Sequence, residues 1–170
     1  VHTRPDYILD LYADWTSDAP KNLVVLPYVS MYESTKEMID YLSAKLDEKG
    51  IKTFKFDIVD DDLGDLAMSL VDAATIVMGT SMVLAGPHPM AVNVAYLASV
   101  LRPKAKFASL VGSYGWGGKL FDLIAQLLAP LKLDLVEPLQ VKGKPKEEDF
   151  KKLDEMAQSI YEKHKSIGLV

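Results

Sequence analysis

At 170 residues the chain is long enough for one domain with a sizeable core and short for two. Its 24 acidic against 19 basic residues leave a net charge of −5, which argues against a general nucleic-acid binder. Without cysteine, it has no disulfides, thiolate metal sites, iron–sulfur clusters or cysteine nucleophiles. No apolar run approaches the roughly 18 residues of a membrane span and no signal-peptide pattern opens the sequence, so the expectation is a cytoplasmic protein that meets no membrane.

The first element predicted is a helix over "RPDYILDLYADW". Pro5 suits a first helical turn, and Tyr7, Ile8, Leu11, Tyr12 and Trp15 fall on one stripe. Residues 1–21 then read as a linker helix and residues 22–170 as the domain proper. Two readings of the aromatic stripe stand open: it covers the domain's own sheet, or it links to a domain outside this chain.

Short apolar runs alternate with amphipathic stretches from there on. Strands are predicted at Leu23–Val29, Ile51–Ile58, Thr75–Gly79, Lys106–Val111 and Leu133–Val141. Helices are predicted at Ser34–Lys49, Leu63–Asp72, Pro89–Leu101, Gly118–Ala129 and Lys146–Lys165. The first and third runs are apolar throughout, as strands buried on both faces are. Met38, Ile39, Leu42 and Leu46 share a helix face that Gly50 closes. Strict alternation implies an α/β fold, a parallel sheet with helices on both faces. Pro27 lacks the N–H that a ladder needs, so a bulge or an early strand end is expected there. The Lys-rich "VKGKPKEEDFKK" is interleaved with acids and reads as a solvated loop and helix face. The triple Asp60–Asp62 reads as the start of the next helix, where acids suit the dipole.

Ligands of open α/β sheets sit beyond the carboxyl ends of the strands. Three loops leave such ends: "SMYESTKE", "TSMVLAGPHP" and "GSYGWGG". The first places Ser30, Ser34 and Thr35 at a helix start, where unpaired N–H groups and the helix dipole favour a phosphate. The local alternative is that Ser34 caps the helix with Glu37 as its capping-box partner. No Walker pattern is present, so nucleotide hydrolysis is not indicated. The third loop sets Tyr114 and Trp116 among four glycines, offering stacking faces where backbone can approach a flat ligand. Met82, Val83 and Leu84 of the middle loop supply an apolar wall. A phosphate at one loop and a planar ring between two others describe flavin mononucleotide (FMN).

The stretches "SMYESTKEM", "GTSMVLAGPHP" and "GSYGWGGK", with "VKGKPKEEDF" after the fifth strand, resemble the flavodoxin-like domain of A-type flavoproteins, also called flavodiiron proteins. That resemblance implies a doubly wound five-stranded parallel sheet of order 2-1-3-4-5 with an extra N-terminal linker helix. It implies FMN held by Ser30, Ser34 and Thr35 at the phosphate, with Met31, Tyr32 and Glu33 in the same loop. Thr80, Ser81, Met82 and Gly86 would line one side of the flavin, and Ser113, Tyr114, Gly115 and Trp116 the other. Two positions depart from the family's pattern: Glu33, where glycine is common, and Met82–Leu84, where a Pro-Thr and a polar residue are usual.

The function so implied is electron transfer by FMN to a redox partner protein or a diiron domain, in a homodimer. The oxygen- or nitric-oxide-reducing step of such proteins belongs to the diiron domain. This chain has only His2, His88 and His164, without the clustered spacing that two irons need. His88 in "GPHP" reads as shaping its loop. The two ring-facing loops contain no Asp or Glu, so full reduction of the flavin is expected to be easier than in acidic flavodoxins. A receiver-type signalling domain fails for want of an acidic pair after the first strand and an aspartate ending the third. A freestanding FMN-dependent NAD(P)H:quinone reductase and a flavin-free docking or dimerisation module remain as alternatives.

Overall fold

The computed structural model describes residues 5–170; His2 lies outside them. Its elements are α1 (Pro5–Thr16), β1 (Lys21–Tyr28), α2 (Ser34–Glu48), β2 (Lys52–Asp57), α3 (Leu63–Asp72), β3 (Ala73–Val83), β4 (Gly86–Pro87), α4 (Pro89–Leu101), β5 (Phe107–Tyr114), α5 (Asp122–Leu128), β6 (Asp134–Leu135), β7 (Leu139–Lys142) and α6 (Glu147–Ser166). A short 3₁₀ turn, Ala129–Leu131, follows α5.

The sheet runs β2-β1-β3-β5, and β6 and β7 together pair with the outer edge of β5. These pairings are parallel; only the two-residue β4 folds back antiparallel on β3. This is the predicted order, with the fifth strand split in two. Val136, Glu137 and Pro138 interrupt it, and proline there cannot donate to a ladder.

Successive strand residues point to opposite faces, so the sheet has two cores. On one face Val25, Ile76, Met78 and Leu110 meet Leu66 and Leu70 of α3, Val94 of α4 and Ile124 of α5. On the other Val24, Leu26, Val77 and Val111 meet Met38, Ile39 and Leu42 of α2 and Leu153 and Ile160 of α6. The period-3.6 stripe of α2 faces this second core as predicted.

Pro27 does not end β1 or bulge it. The strand passes through, pairing Pro27 with Phe56 of β2, and only the ladder to β3 lapses between Val25 and Tyr28. The register shift on that side lies at the strand's start, between Lys21 and Val24. Two strands run further than expected: β3 through Thr80–Val83 and β5 through Ser113 and Tyr114, so residues read as loop are ladder residues. Of the α1 stripe, Tyr7, Tyr12 and Trp15 are each more than half exposed, while Ile8 and Leu11 are half-buried. Tyr12 and Trp15 meet edge to face at 5.5 Å. Among the described residues no helix is long and apolar enough to cross a membrane.

Candidate functional site

Strands β1, β3 and β5 end side by side, and the parallel register brings their last residues level: Tyr28 opposite Gly79, and Thr80 and Ser81 opposite Gly112 and Ser113. Gly79 keeps this junction tight, because a Cβ there would stand 2.6 Å from Cβ of Tyr28. The first turn of α2 closes over it. Thr35, fully buried, has its hydroxyl 3.0 Å from Ser113 Oγ and 3.4 Å from the Thr80 carbonyl that accepts from it. Thus Thr35, Thr80 and Ser113, predicted from three separate stretches, meet in space.

Helix α2 starts without a side-chain cap. Its N-cap is Glu33, held in the left-handed region at φ 62°, and Ser34 is already helical. The capping box suggested by Ser34 and Glu37 is therefore not formed. The Ser34 N–H donates to the Tyr32 carbonyl and the Glu37 N–H to that of Glu33. Those of Thr35 and Lys36, unable to bond within the helix, have no acceptor among the described residues. The Ser30 and Ser81 hydroxyls are buried and likewise unpartnered. An unsatisfied buried hydroxyl is costly and calls for a partner from elsewhere. N–H donors and hydroxyls gathered at a helix start suit an anion with several oxygens. By this test the residues present fit a phosphate ester.

The middle loop is a hairpin. Val83 pairs with Gly86 and Met82 with Pro87, leaving Leu84 (φ 48°) and Ala85 (φ 66°) at the tip, both left-handed. The third loop clasps this tip: the Lys119 N–H donates to the Ala85 carbonyl, and a Cβ on Gly118 would lie 2.6 Å from that oxygen. Nothing comes within 4 Å of a Cβ on Gly115 or Gly117, so there the backbone is open to a ligand. His88 does shape its loop, as expected: its Nδ1 accepts from the Met90 N–H and caps α4, while its own N–H donates to Thr80 Oγ1. Asp62 similarly caps α3, taking the N–H groups of Gly64 and Asp65.

Exposure separates the predicted residues. Thr35, Thr80 and Ser81 are buried; Ser30, Ser34, Met82, Gly86, Ser113 and Tyr114 are half-buried; Met31, Tyr32, Glu33, Gly115 and Trp116 stand in solvent. Tyr32, Leu84 and Trp116 are 86%, 99% and 88% exposed, so the rim of the site is apolar and open rather than a closed pocket. Clefts of about 560 and 420 Å³ lie elsewhere, between α6 and the β6–β7 junction and between α3 and α4. A flat ring laid against exposed faces needs no enclosed cavity. Sequence reasoning missed Leu84, Ala85 and Lys119 as loop-shaping residues, since their left-handed angles and backbone contact leave no compositional mark. Among the described residues no group of three or more His, Asp or Glu side chains is placed to hold a metal.

No protein-family model matches the sequence. A nitric oxide reductase from Moorella thermoacetica is 28% identical over 158 residues, covering 92% of this chain and 40% of that protein. The structure of rubredoxin oxygen:oxidoreductase from Desulfovibrio gigas superposes with a TM-score of 0.88 at 25% identity, over 95% of this chain and 40% of that one. An archaeal flavodoxin shares the fold, with a TM-score of 0.73 at 23% identity over 84% of this chain and 99% of its own. The chain spans about two fifths of the length of the curated relatives it matches. In strand order, in its three loops and in these likenesses the chain is similar to the flavodoxin-like domain of A-type flavoproteins, or flavodiiron proteins.

Proposed function

We propose that the chain binds FMN across the three loops and passes electrons to a redox partner protein or to a diiron domain, within a homodimer. The observation that carries this reading is the pair of buried, unpartnered hydroxyls, Ser30 and Ser81, beside free N–H groups at the start of α2. Ser30, Ser34, Thr35 and the amides of Thr35 and Lys36 hold the phosphate. Met31, Tyr32 and Glu33 shape that loop. Thr80, Ser81, Met82 and Gly86 bound one side of the ring; Ser113, Tyr114, Gly115 and Trp116 bound the other. Bound FMN supplies one-electron chemistry, and the protein's part is to hold the ring and set the charge around it.

That charge is low. The ring-facing stretches carry no Asp or Glu, and the nearest acid after the third loop, Asp122, is paired with Lys119 at 3.4 Å. These stretches would therefore set little negative charge against a bound flavin, and its full reduction would be easier than beside a carboxylate-rich loop. A redox titration giving a very negative second step would contradict this.

Residues 1–21 serve as the linker on this reading, and the exposure of Tyr12 and Trp15 supports it, since exposed aromatic faces are available to another domain. Visible absorption of the purified chain before and after adding FMN tests the function. Flavin bands perturbed by the protein and lost in Trp116→Ala support it. A colourless chain that leaves added FMN unchanged favours the docking module, which the exposed Leu84, Tyr32 and Trp116 would equally serve.

A further inference from the structure

The phosphate cradle holds a charged pair that FMN binding does not obviously want. Lys36 Nζ lies 3.3 Å from Glu33 Oε2, at the mouth of the first turn of α2. Hydrogen bonding to Glu33, more than any other influence, raises the Lys36 ammonium above its ordinary value. The other lysine near this turn, Lys144 from the loop after β7, is likewise engaged, 3.7 Å from Glu37. Lys36 and Lys144 are thus both matched by carboxylates. Just below, burial first, and then the charges of Asp57, Asp40, Asp61 and Glu33, push the Tyr28 phenol up to about 12. The field beneath the first turn of α2, away from the ring-facing loops, is negative, although the donors at the helix start suit an anion.

Glu33 also occupies a backbone position it is ill suited to. At φ 62° a non-glycine residue carries a steric cost, and its side chain makes no capping bond in return. Its carbonyl accepts from the Glu37 N–H as any residue's would, but its side chain adds nothing to the helix start, so what the side chain brings is electrostatic.

We propose that Glu33 is a specificity-determining residue of the cradle: by holding Lys36 and adding its own charge, it curbs affinity for the phosphate of FMN and so narrows the preference for FMN over phosphate-free riboflavin. This rests on the FMN reading above. A phosphate entering the cradle competes with Glu33 for Lys36, whereas the isoalloxazine ring, bound at the other two loops, does not sense the pair. Because the Glu33 carboxylate is 74% exposed, screening holds the effect to a modest size.

The test is a set of dissociation constants for FMN and riboflavin, read from quenching of flavin fluorescence, for the wild-type chain, Glu33→Gln, Glu33→Gly and Lys36→Gln. At low salt Glu33→Gln should tighten FMN by about three- to tenfold and move riboflavin by less than about twofold. Glu33→Gly should match or exceed it, Lys36→Gln should weaken FMN, and the gain from Glu33→Gln should shrink at about 0.5 M salt. If the wild type binds FMN and Glu33→Gln leaves its affinity unchanged, or shifts both flavins equally, the role of Glu33 in specificity is overturned while the FMN reading stands. If neither the wild type nor any variant binds either flavin, the FMN reading falls and the role of Glu33 with it.

Discussion

At the end of the sheet where the strands begin, His164, Asn22 and Thr75 answer one another's hydrogen bonds. Where the strands finish, Ser30 and Ser81 hydroxyls are buried with no partner. Asn22 Nδ2 donates to the Gly50 carbonyl at 3.1 Å, which turns its Oδ1 toward His164 Nδ1 at 2.8 Å. The imidazole proton is therefore on Nδ1, and Nε2 accepts from the Thr75 hydroxyl at 2.7 Å. Phe107 stacks on the same ring, and beside this network Lys21 and Lys104 both grip Asp72 at 2.8 Å. The far end has three left-handed residues, Glu33, Leu84 and Ala85, against Arg102 and Lys132 at the first, and it adds a rim of bare apolar side chains. One end invests in holding α6 to the sheet. The other leaves groups unsatisfied and backbone strained, the state in which a ligand has something to improve.

The contrast implies that substitutions at the first end cost stability and substitutions at the second cost binding. The largest effect is expected from His164→Ala. It opens a cavity and strands the Thr75 hydroxyl and the Asn22 amide, at a cost of about 3 kcal/mol in denaturant unfolding. Flavin affinity of the folded fraction should not change. Loss of binding without loss of stability would break the division.

The pH dependence belongs to the same end. Burial lowers the His164 imidazole to about 4 from an ordinary 6.5, so the folded state favours the neutral ring. A group whose folded value is depressed in this way contributes its full stability above the unfolded value. As pH falls from 6.5 toward 4 the unfolded chain takes up a proton that the folded chain refuses, and stability drops by up to about 3 kcal/mol. No acid is bonded to the ring to stabilise the cation: its partners are Asn22 and Thr75, Asp134 is paired with Lys163, and Asp14 and Asp72 with Lys21. His164→Gln keeps polar reach without titrating, so the stability gap between it and the wild type should narrow across this window. A constant gap would show that His164 does not carry the acid sensitivity.

At the strand finishes, Ser30→Ala with Ser81→Ala should leave the flavin-free protein as stable as the wild type or slightly more so, because each removes an unsatisfied hydroxyl. FMN affinity should fall about tenfold or more, from the hydrogen bond Ser30 gives the charged phosphate together with the weaker one Ser81 gives the ring. A marked loss of stability with FMN affinity unchanged would mean that the hydroxyls serve the fold.

Sequence made the frame legible where the deciding signal is local. Leu63–Asp72 and Pro89–Leu101 were bounded correctly because Asp62 and the His88-Pro89 pair are start signals within a few residues of what they control. The fifth strand's break at Val136–Pro138 and the extension of β3 to Val83 depend on which neighbour is at hand to pair, so no local pattern marks them. At the site, hydroxyls and aromatics marked the right three loops. What they could not convey is that Thr35 reaches across to Thr80 and Ser113, a contact between residues 45 and 78 positions apart. Nor does composition reveal φ: nothing about Glu33, Leu84 or Ala85 favours a left-handed backbone, which loop closure imposes on them.

The smallest effect expected sharpens that last point. Leu84 and Ala85 occupy a two-residue hairpin tip with both φ angles positive, a geometry that Asn-Gly adopts with little strain. Leu84 is 99% exposed, so replacing it gives up no burial. Ala85 is clasped through its backbone carbonyl by Lys119, a contact that glycine keeps. Leu84→Asn with Ala85→Gly should therefore relieve strain of about 1 kcal/mol per residue, offset in part by the freer unfolded chain that glycine brings. The net expectation is a gain of about 0.5–1 kcal/mol and a thermal midpoint about 2 °C higher. If the midpoint rises while electron transfer to a partner slows, the strained tip is kept for its exposed leucine, and the strand finishes trade stability for contact. If both improve, Leu84 is dispensable, and the exposed rim narrows to Tyr32 and Trp116.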